Sequence, residues 1–250
     1  MSTIQIEITA ACVLTCSSCT RFCGHHKTPF FLTEEQFKTA IDSLVGWVNE
    51  MPQGLVGFMG GEPLLHPKFA EFCDYALTKI PRDRLGLWST FPGGDKYAKR
   101  YREVICRTFG NILLNDHSRD DILHAPVLMG AEEYFMMDCP DCGGLGNGDP
   151  FPVQGQFCQR CNGTGKITDE RALLFHTDHC WVQESWSAAI NPKGAFFCEV
   201  AAAMSDLFDG PKGWDVKPDW WKRTPADFME QRREACFKCG AAMPIKRIRN

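Results

Sequence analysis

The cysteines restrict what this chain can fold into more than any other feature. Fourteen occur in 250 residues, and eleven of them fall into three groups with metal-ligand spacing. The first group is Cys12, Cys16 and Cys19, a C-x3-C-x2-C loop placed directly after a short alternating stretch from Ile4 to Thr9. The second is a pair of C-x2-C turns, Cys139–Cys142 and Cys158–Cys161, each followed by x-G-x-G. The third is Cys180, Cys198 and the pair Cys236–Cys239. So many thiols fit either a secreted protein built on disulfides or a metalloprotein of a reducing compartment. Met1-Ser2-Thr3 leads straight into a strand with no export signal, so a cytoplasmic metalloprotein is the expectation.

Charge and hydropathy narrow the partners. The net charge is −4, which gives no support for nucleic acid or an anionic membrane as a partner. The short basic run Lys246-Arg247-Ile248-Arg249 reads as a solvated tail, and no apolar run reaches membrane-spanning length. With 44% hydrophobic residues the chain can bury a large core.

The apolar periodicity sets out a parallel sheet. Ile4, Ile6 and Ile8 alternate with Gln5, Glu7 and Thr9, a strand whose polar set can face a barrel lumen. Thr33 and Gln36 form a capping box ahead of a helix that buries Phe37, Ile41, Leu44, Val45 and Val48. A second strand covers about 55–59. Pro67 then opens a helix with Phe69, Phe72, Cys73 and Ala76 on its apolar face, where Cys73 reads as a packed thiol. Leu85 to Thr90 is a third strand, a helix follows from about Lys96 with Tyr97, Tyr101, Val104 and Ile105 inward, and Ile112 to Asn115 is a fourth strand. Cys106 stands alone and reads as structural.

Strand and helix alternating in this way argue for right-handed βαβ units. A full eightfold barrel takes about 250 residues, so an incomplete, open barrel is expected here. Its site lies at the C-terminal strand ends. That singles out Gly60, Gly61 and Glu62, then Ser89 and Thr90, then Asn115 and His117. Ser89 reads either as a ligand contact or as a plain strand end. His117 reads either as a general base or substrate contact, or as a satisfied polar residue.

The cysteine loop and Gly60-Gly61-Glu62-Pro63, which follows the apolar run Leu55 to Met59, together resemble the radical S-adenosylmethionine (AdoMet) superfamily. The resemblance implies that Cys12, Cys16 and Cys19 hold a 4Fe–4S cluster by three of its irons. The fourth iron chelates AdoMet, and one electron cleaves it to a 5′-deoxyadenosyl radical that takes a hydrogen atom from substrate. It also implies AdoMet contacts from Gly60, Gly61, Glu62, Ser89 and Asn115, and a flavodoxin- or ferredoxin-type electron donor. Ser18 departs from the pattern, because many relatives carry an aromatic residue there; Phe22 is the candidate substitute.

Residues 139–165 resemble the cysteine-rich repeats of DnaJ-type chaperones, over that stretch only. Each C-x2-C turn offers two thiolates, the glycines let backbone amides approach sulfur, and the four thiolates Cys139, Cys142, Cys158 and Cys161 suit zinc, with an iron–sulfur centre as the alternative. Residues 180–239 resemble the SPASM/twitch auxiliary-cluster domains. There Cys180, Cys198, Cys236 and Cys239 would fully ligate a second 4Fe–4S cluster, with a second zinc site as the alternative. Asn191-Pro192-Lys193-Gly194 reads as the turn of a hairpin, and a helix is expected from near Pro225. Cys23 remains over beside the first loop. Trp214, Trp220 and Trp221 either line a ligand pocket or pack a loop.

The expected fold is α/β: a partial radical SAM barrel over 1–135, a zinc-ribbon-like insert over 136–167, and a last barrel element with a twitch-like α+β cluster domain over 168–250. The expected function is hydrogen abstraction from a small polar substrate, in dehydrogenation or epimerisation of a sugar or alcohol. A peptide-modifying maturase and a zinc-binding interaction protein are the alternatives.

Overall fold

The computed structural model describes residues 2–16, 19–90, 95–114, 123–124, 135–142, 159–162, 164–180, 182, 187–243 and 248–249. The first half runs β1 (Thr3–Thr9), α1 (Glu34–Glu50), β2 (Leu55–Gly60), α2 (Phe69–Leu77), β3 (Leu85–Ser89), α3 (Asp95–Thr108) and β4 (Asn111–Leu114). Short strands follow: β5 (Leu123–His124), β6 (Met136–Asp138) and β7 (Lys166–Thr168). The chain continues through α4 (Glu170–Asp178), β8 (Ser187–Asn191), β9 (Gly194–Phe196), α5 (Glu199–Leu207), α6 (Met229–Cys236) and β10 (Ile248–Arg249).

One mixed, mostly parallel sheet of six strands organises the molecule, in the order β4-β3-β2-β1-β8-β9. β1 lies at its middle and pairs in parallel with both β2 and β8. β9 folds back antiparallel on β8, as the Asn191–Gly194 turn predicts. The alternation in β1 has its expected effect. Ile4, Ile6 and Ile8 are fully buried against the helices in the main core, beside Phe37, Phe58 and Phe72. Gln5, Glu7 and Thr9 point to the opposite face and are also buried, which makes that face an enclosed polar interior.

α1 begins where the sequence says it should, whereas α2 starts at Phe69 and α6 at Met229, later than the prolines suggest. Thr33 Oγ1 accepts from the Gln36 amide at 3.2 Å and Gln36 Oε1 accepts from the Thr33 amide at 3.0 Å, so two orphan donors at the start of α1 are satisfied. Cys73 is a packed core thiol. Truncating a core aromatic such as Phe58 to alanine would cost about 3–5 kcal/mol. Cys106, expected to be structural, is exposed instead. The tryptophans pack rather than line a ligand pocket: Trp220 is buried in the main core, Trp221 lies against it, and Trp214 tilts onto Phe228 at 4.3 Å between ring centres. Among the described residues no helix is long and apolar enough to cross a membrane.

Candidate functional site

The C-terminal ends of β1, β2 and β3 meet the cysteine loop around one cavity of about 160 Å³. Cys12, Cys16 and Cys19 line it from the loop; Gly60 and Gly61 line it from the end of β2, and Ser89 from the end of β3. The two glycines are there because nothing larger fits. The Gly61 amide donates to Thr9 O at 2.7 Å and the Glu62 amide to Ala11 O at 2.7 Å. A Cβ on Gly61 would lie 2.1 Å from Ala11 O, and Gly60 has φ +135°, a conformation open to glycine. The strand end is thereby pressed against the backbone that launches the cysteine loop.

Glu62 is buried, and both its oxygens are used. Oε1 accepts from the Leu64 amide at 3.1 Å and from Ser89 Oγ at 2.8 Å. Oε2 accepts from the Thr90 amide at 2.8 Å and from Thr90 Oγ1 at 2.9 Å. Glu62 therefore ties the end of β2 to the end of β3, and Ser89 is held in place by that tie while it lines the cavity.

The loop thiols differ among themselves. Cys19 is pulled down to about 5, first by a hydrogen bond from Cys23 and further by the positive charge of Arg21. Cys12 is pushed up, chiefly by burial. Cys23 is therefore more than a leftover: it lines the same cavity and engages Cys19. Phe22, the expected aromatic substitute, is buried elsewhere, in the C-terminal core with its ring 6.5 Å from that of Phe208. The aromatic side chain that does line the cavity is Trp88 on β3, whose indole lies across Gly57 and Gly86. The sequence reading missed it; two glycines at matching strand positions were the available signal.

Beneath the cavity lies a buried network that the sequence reading also missed. Arg21 is ion-paired to Glu7 at 3.2 Å and to Glu199 at 3.0 Å. It also donates to Gln5 Oε1 and approaches Met59 Sδ at 2.8 Å. Glu199 Oε2 additionally accepts from Gln5 Nε2 at 2.6 Å and Ser187 Oγ at 2.6 Å. Glu7 is pushed up to about 7, first by burial, with Glu199 and Asp206 adding repulsion against the opposing pull of Arg21. Such a carboxyl can hold or release a proton near neutrality.

A second set of thiols gathers in the C-terminal part. Cys180 follows α4, Cys198 caps α5, Cys236 ends α6 and Cys239 lies in the next turn; all four line one small pocket. Burial is the leading cause that pushes Cys236 and Cys239 up to about 12, and Cys198 is pushed up in the same way. Protonated when empty, these thiols must release protons to take up metal.

The third set sits in the insert, closed by the antiparallel ribbon β6–β7. The sulfurs of Cys139, Cys142 and Cys161 all lie within 4.8 Å of one another and are buried. Cys142 Sγ and Cys161 Sγ are 3.7 Å apart. A disulfide would bring them to about 2.05 Å. Tetrahedral zinc, with bonds of about 2.3 Å, sets sulfurs about 3.8 Å apart. The Gly165 amide donates to Cys161 Sγ at 3.3 Å, from a residue with φ +74°. Among the described residues no other three candidate ligands come this close. The N-terminal and C-terminal thiols share their cavities but do not gather in threes within 4.8 Å.

Asn115, His117, Cys158 and Ser18 lie outside the described residues. A larger cavity, about 630 Å³ between α5 and α6, contains none of the expected site residues. The chemistry-bearing groups are in the smaller one.

No protein-family model matches the sequence, and no curated protein matches it. Among solved structures the chain is similar to BtrN in complex with AdoMet and 2-DOIA, at 15% identity and a TM-score of 0.49, over 95% of this chain and 88% of that one. It is also similar to selenomethionine BtrN in an open conformation, at 15% identity and a TM-score of 0.47, over 96% and 87%.

Proposed function

We propose that this chain is a radical AdoMet enzyme that oxidises a small polar substrate, a sugar or another alcohol, by abstraction of a hydrogen atom. The observation that carries the reading is the single cavity shared by Cys12, Cys16, Cys19, Gly60, Gly61 and Ser89. Three half-buried thiols with room beside them fit a 4Fe–4S cluster with one iron left for a ligand. When bound, the cluster and AdoMet supply the electron and the carbon radical that abstracts the hydrogen atom.

The chain's own residues do the rest. Gly60 and Gly61 bring bare backbone to the cavity wall, where a ligand's polar groups can reach it. Glu62 holds Ser89 and Thr90 in fixed positions at that wall. Arg21 and Glu7 line a small void beside the cavity, with room for about one water. Cys180, Cys198, Cys236 and Cys239 would hold a fully ligated second cluster, and Cys139, Cys142, Cys158 and Cys161 a structural zinc. A reduced flavodoxin or ferredoxin would supply electrons.

Anaerobic reconstitution tests the reading. The expected product is brown protein with about eight irons, two cubes of four, together with zinc. Dithionite should then release 5′-deoxyadenosine from AdoMet. Colourless protein carrying zinc and little iron would replace the enzyme with a zinc-binding interaction protein.

A further inference from the structure

Two of the three thiol groups are joined by one buried ion pair. Arg21 comes two residues after Cys19, and Glu199 directly follows Cys198. Their side chains meet inside the barrel, Nη2 to Oε2, at 3.0 Å, and both residues are buried. Glu199 cannot swing away, because Gln5 Nε2 and Ser187 Oγ, each at 2.6 Å, fix the same oxygen. Arg21 is held equally firmly, between Glu7 and Gln5 on β1 and Met59 on β2. Its Nη1 faces Glu7 Oε1 at 3.2 Å without a hydrogen bond, and among the described residues its Nε makes none. A full charge pair in so dry a place interacts strongly with any further charge that arrives nearby, because little water screens it.

We infer that Arg21 and Glu199 are positioning residues that set the relative reduction potentials of two cluster sites, the guanidinium favouring an electron at the Cys12–Cys16–Cys19 site and the carboxylate disfavouring one at the Cys180–Cys198–Cys236–Cys239 site. This rests on the radical AdoMet reading. Arg21 lines the cavity of Cys12, Cys16 and Cys19, and Glu199 is the residue after Cys198, which lines the C-terminal pocket with Cys180, Cys236 and Cys239. With both clusters bound, the pair would favour passage of an electron from the C-terminal site, oxidised by one electron, to the N-terminal site, reduced by one.

Redox titration of the iron-loaded full chain, followed by electron paramagnetic resonance of both clusters, tests this with three variants. Glu199→Gln should make reduction at the C-terminal site about tenfold more favourable, about 59 mV for one electron. Arg21→Met should make reduction at the N-terminal site about tenfold less favourable, so that each variant narrows the gap between the sites. Arg21→Lys keeps the charge and should leave both potentials near those of the wild type. Unmoved potentials in Glu199→Gln, or Arg21→Lys displaced as far as Arg21→Met, would overturn the inference. If Arg21→Met does not fold, the other two variants decide. A wild-type chain that takes up no iron, or releases no 5′-deoxyadenosine with dithionite, brings down the enzyme reading itself, and this inference with it.

Discussion

The loop of Cys12, Cys16 and Cys19 and the knot of Cys139, Cys142 and Cys161 each present three described thiols on short turns, yet they are arranged differently. In the knot the sulfurs lie within 4.8 Å of one another, buried, with an amide donated to one of them. In the loop they are half-buried and stand around a cavity that they share with strand-end glycines and a serine. A tight set encloses one ion and leaves no place for anything else. A spread set leaves room for a larger centre and for a ligand on its open side. Both contain a C-x2-C pair, and the neighbouring backbone uses the space between the sulfurs differently.

The largest expected effect tests that contrast directly. Cys16→Ser should abolish AdoMet cleavage, by about 10³-fold or more, and remove roughly half of the iron, one of two cubes. Cys142→Ser should remove zinc and leave cleavage within about threefold, since a closed four-thiolate site is structural. Metal analysis and chromatography of 5′-deoxyadenosine read both, and equal losses of activity would erase the distinction. The next test substitutes the glycines. Gly61→Ala drives a Cβ to 2.1 Å from Ala11 O, so cleavage should fall at least about tenfold and unfolding should show a loss of about 3 kcal/mol. Gly165→Ala in the knot, at φ +74°, should cost only about 1–2 kcal/mol and spare cleavage.

The smallest effect concerns the charges under the loop. Glu7 is pushed up to about 7 by burial, from an ordinary 4.5. The folded state therefore binds its proton more tightly than the unfolded state. The corresponding stability is present below about pH 4.5 and is lost as pH rises through about 7. Melting curves should show wild type losing about 3 kcal/mol across that window relative to Glu7→Gln. The difference between Cys142→Ser with and without Glu7→Gln should be the same, because the knot is built from other residues. A flat difference between wild type and Glu7→Gln would mean that Glu7 is ionised throughout.

Much of this was legible because it is periodic or local. Ile4, Ile6 and Ile8 alternate with Gln5, Glu7 and Thr9, and a period of two assigns them to opposite faces. The Thr33–Gln36 box and the Asn191–Gly194 turn are each complete within four residues. The cysteines announce themselves by type. What the sequence hid is what long-range packing decides. Arg21 looks like any loop arginine until β8 and α5 bring Glu199 beside it. Phe22 was read by its nearness to the loop, but its left-handed backbone, φ 53°, accompanies a side chain buried in the C-terminal core. Trp88 looked like a strand residue among others, because the two glycines that leave room for its indole sit on different parts of the chain.

The glycine clamp between the end of β2 and Thr9–Ala11 has a consequence for how the protein matures. Its hydrogen bonds belong to the polypeptide alone, so the sheet can register its loop without metal. On the proposed reading, iron would enter a largely finished vessel instead of nucleating one, and loading would be a late, separable step.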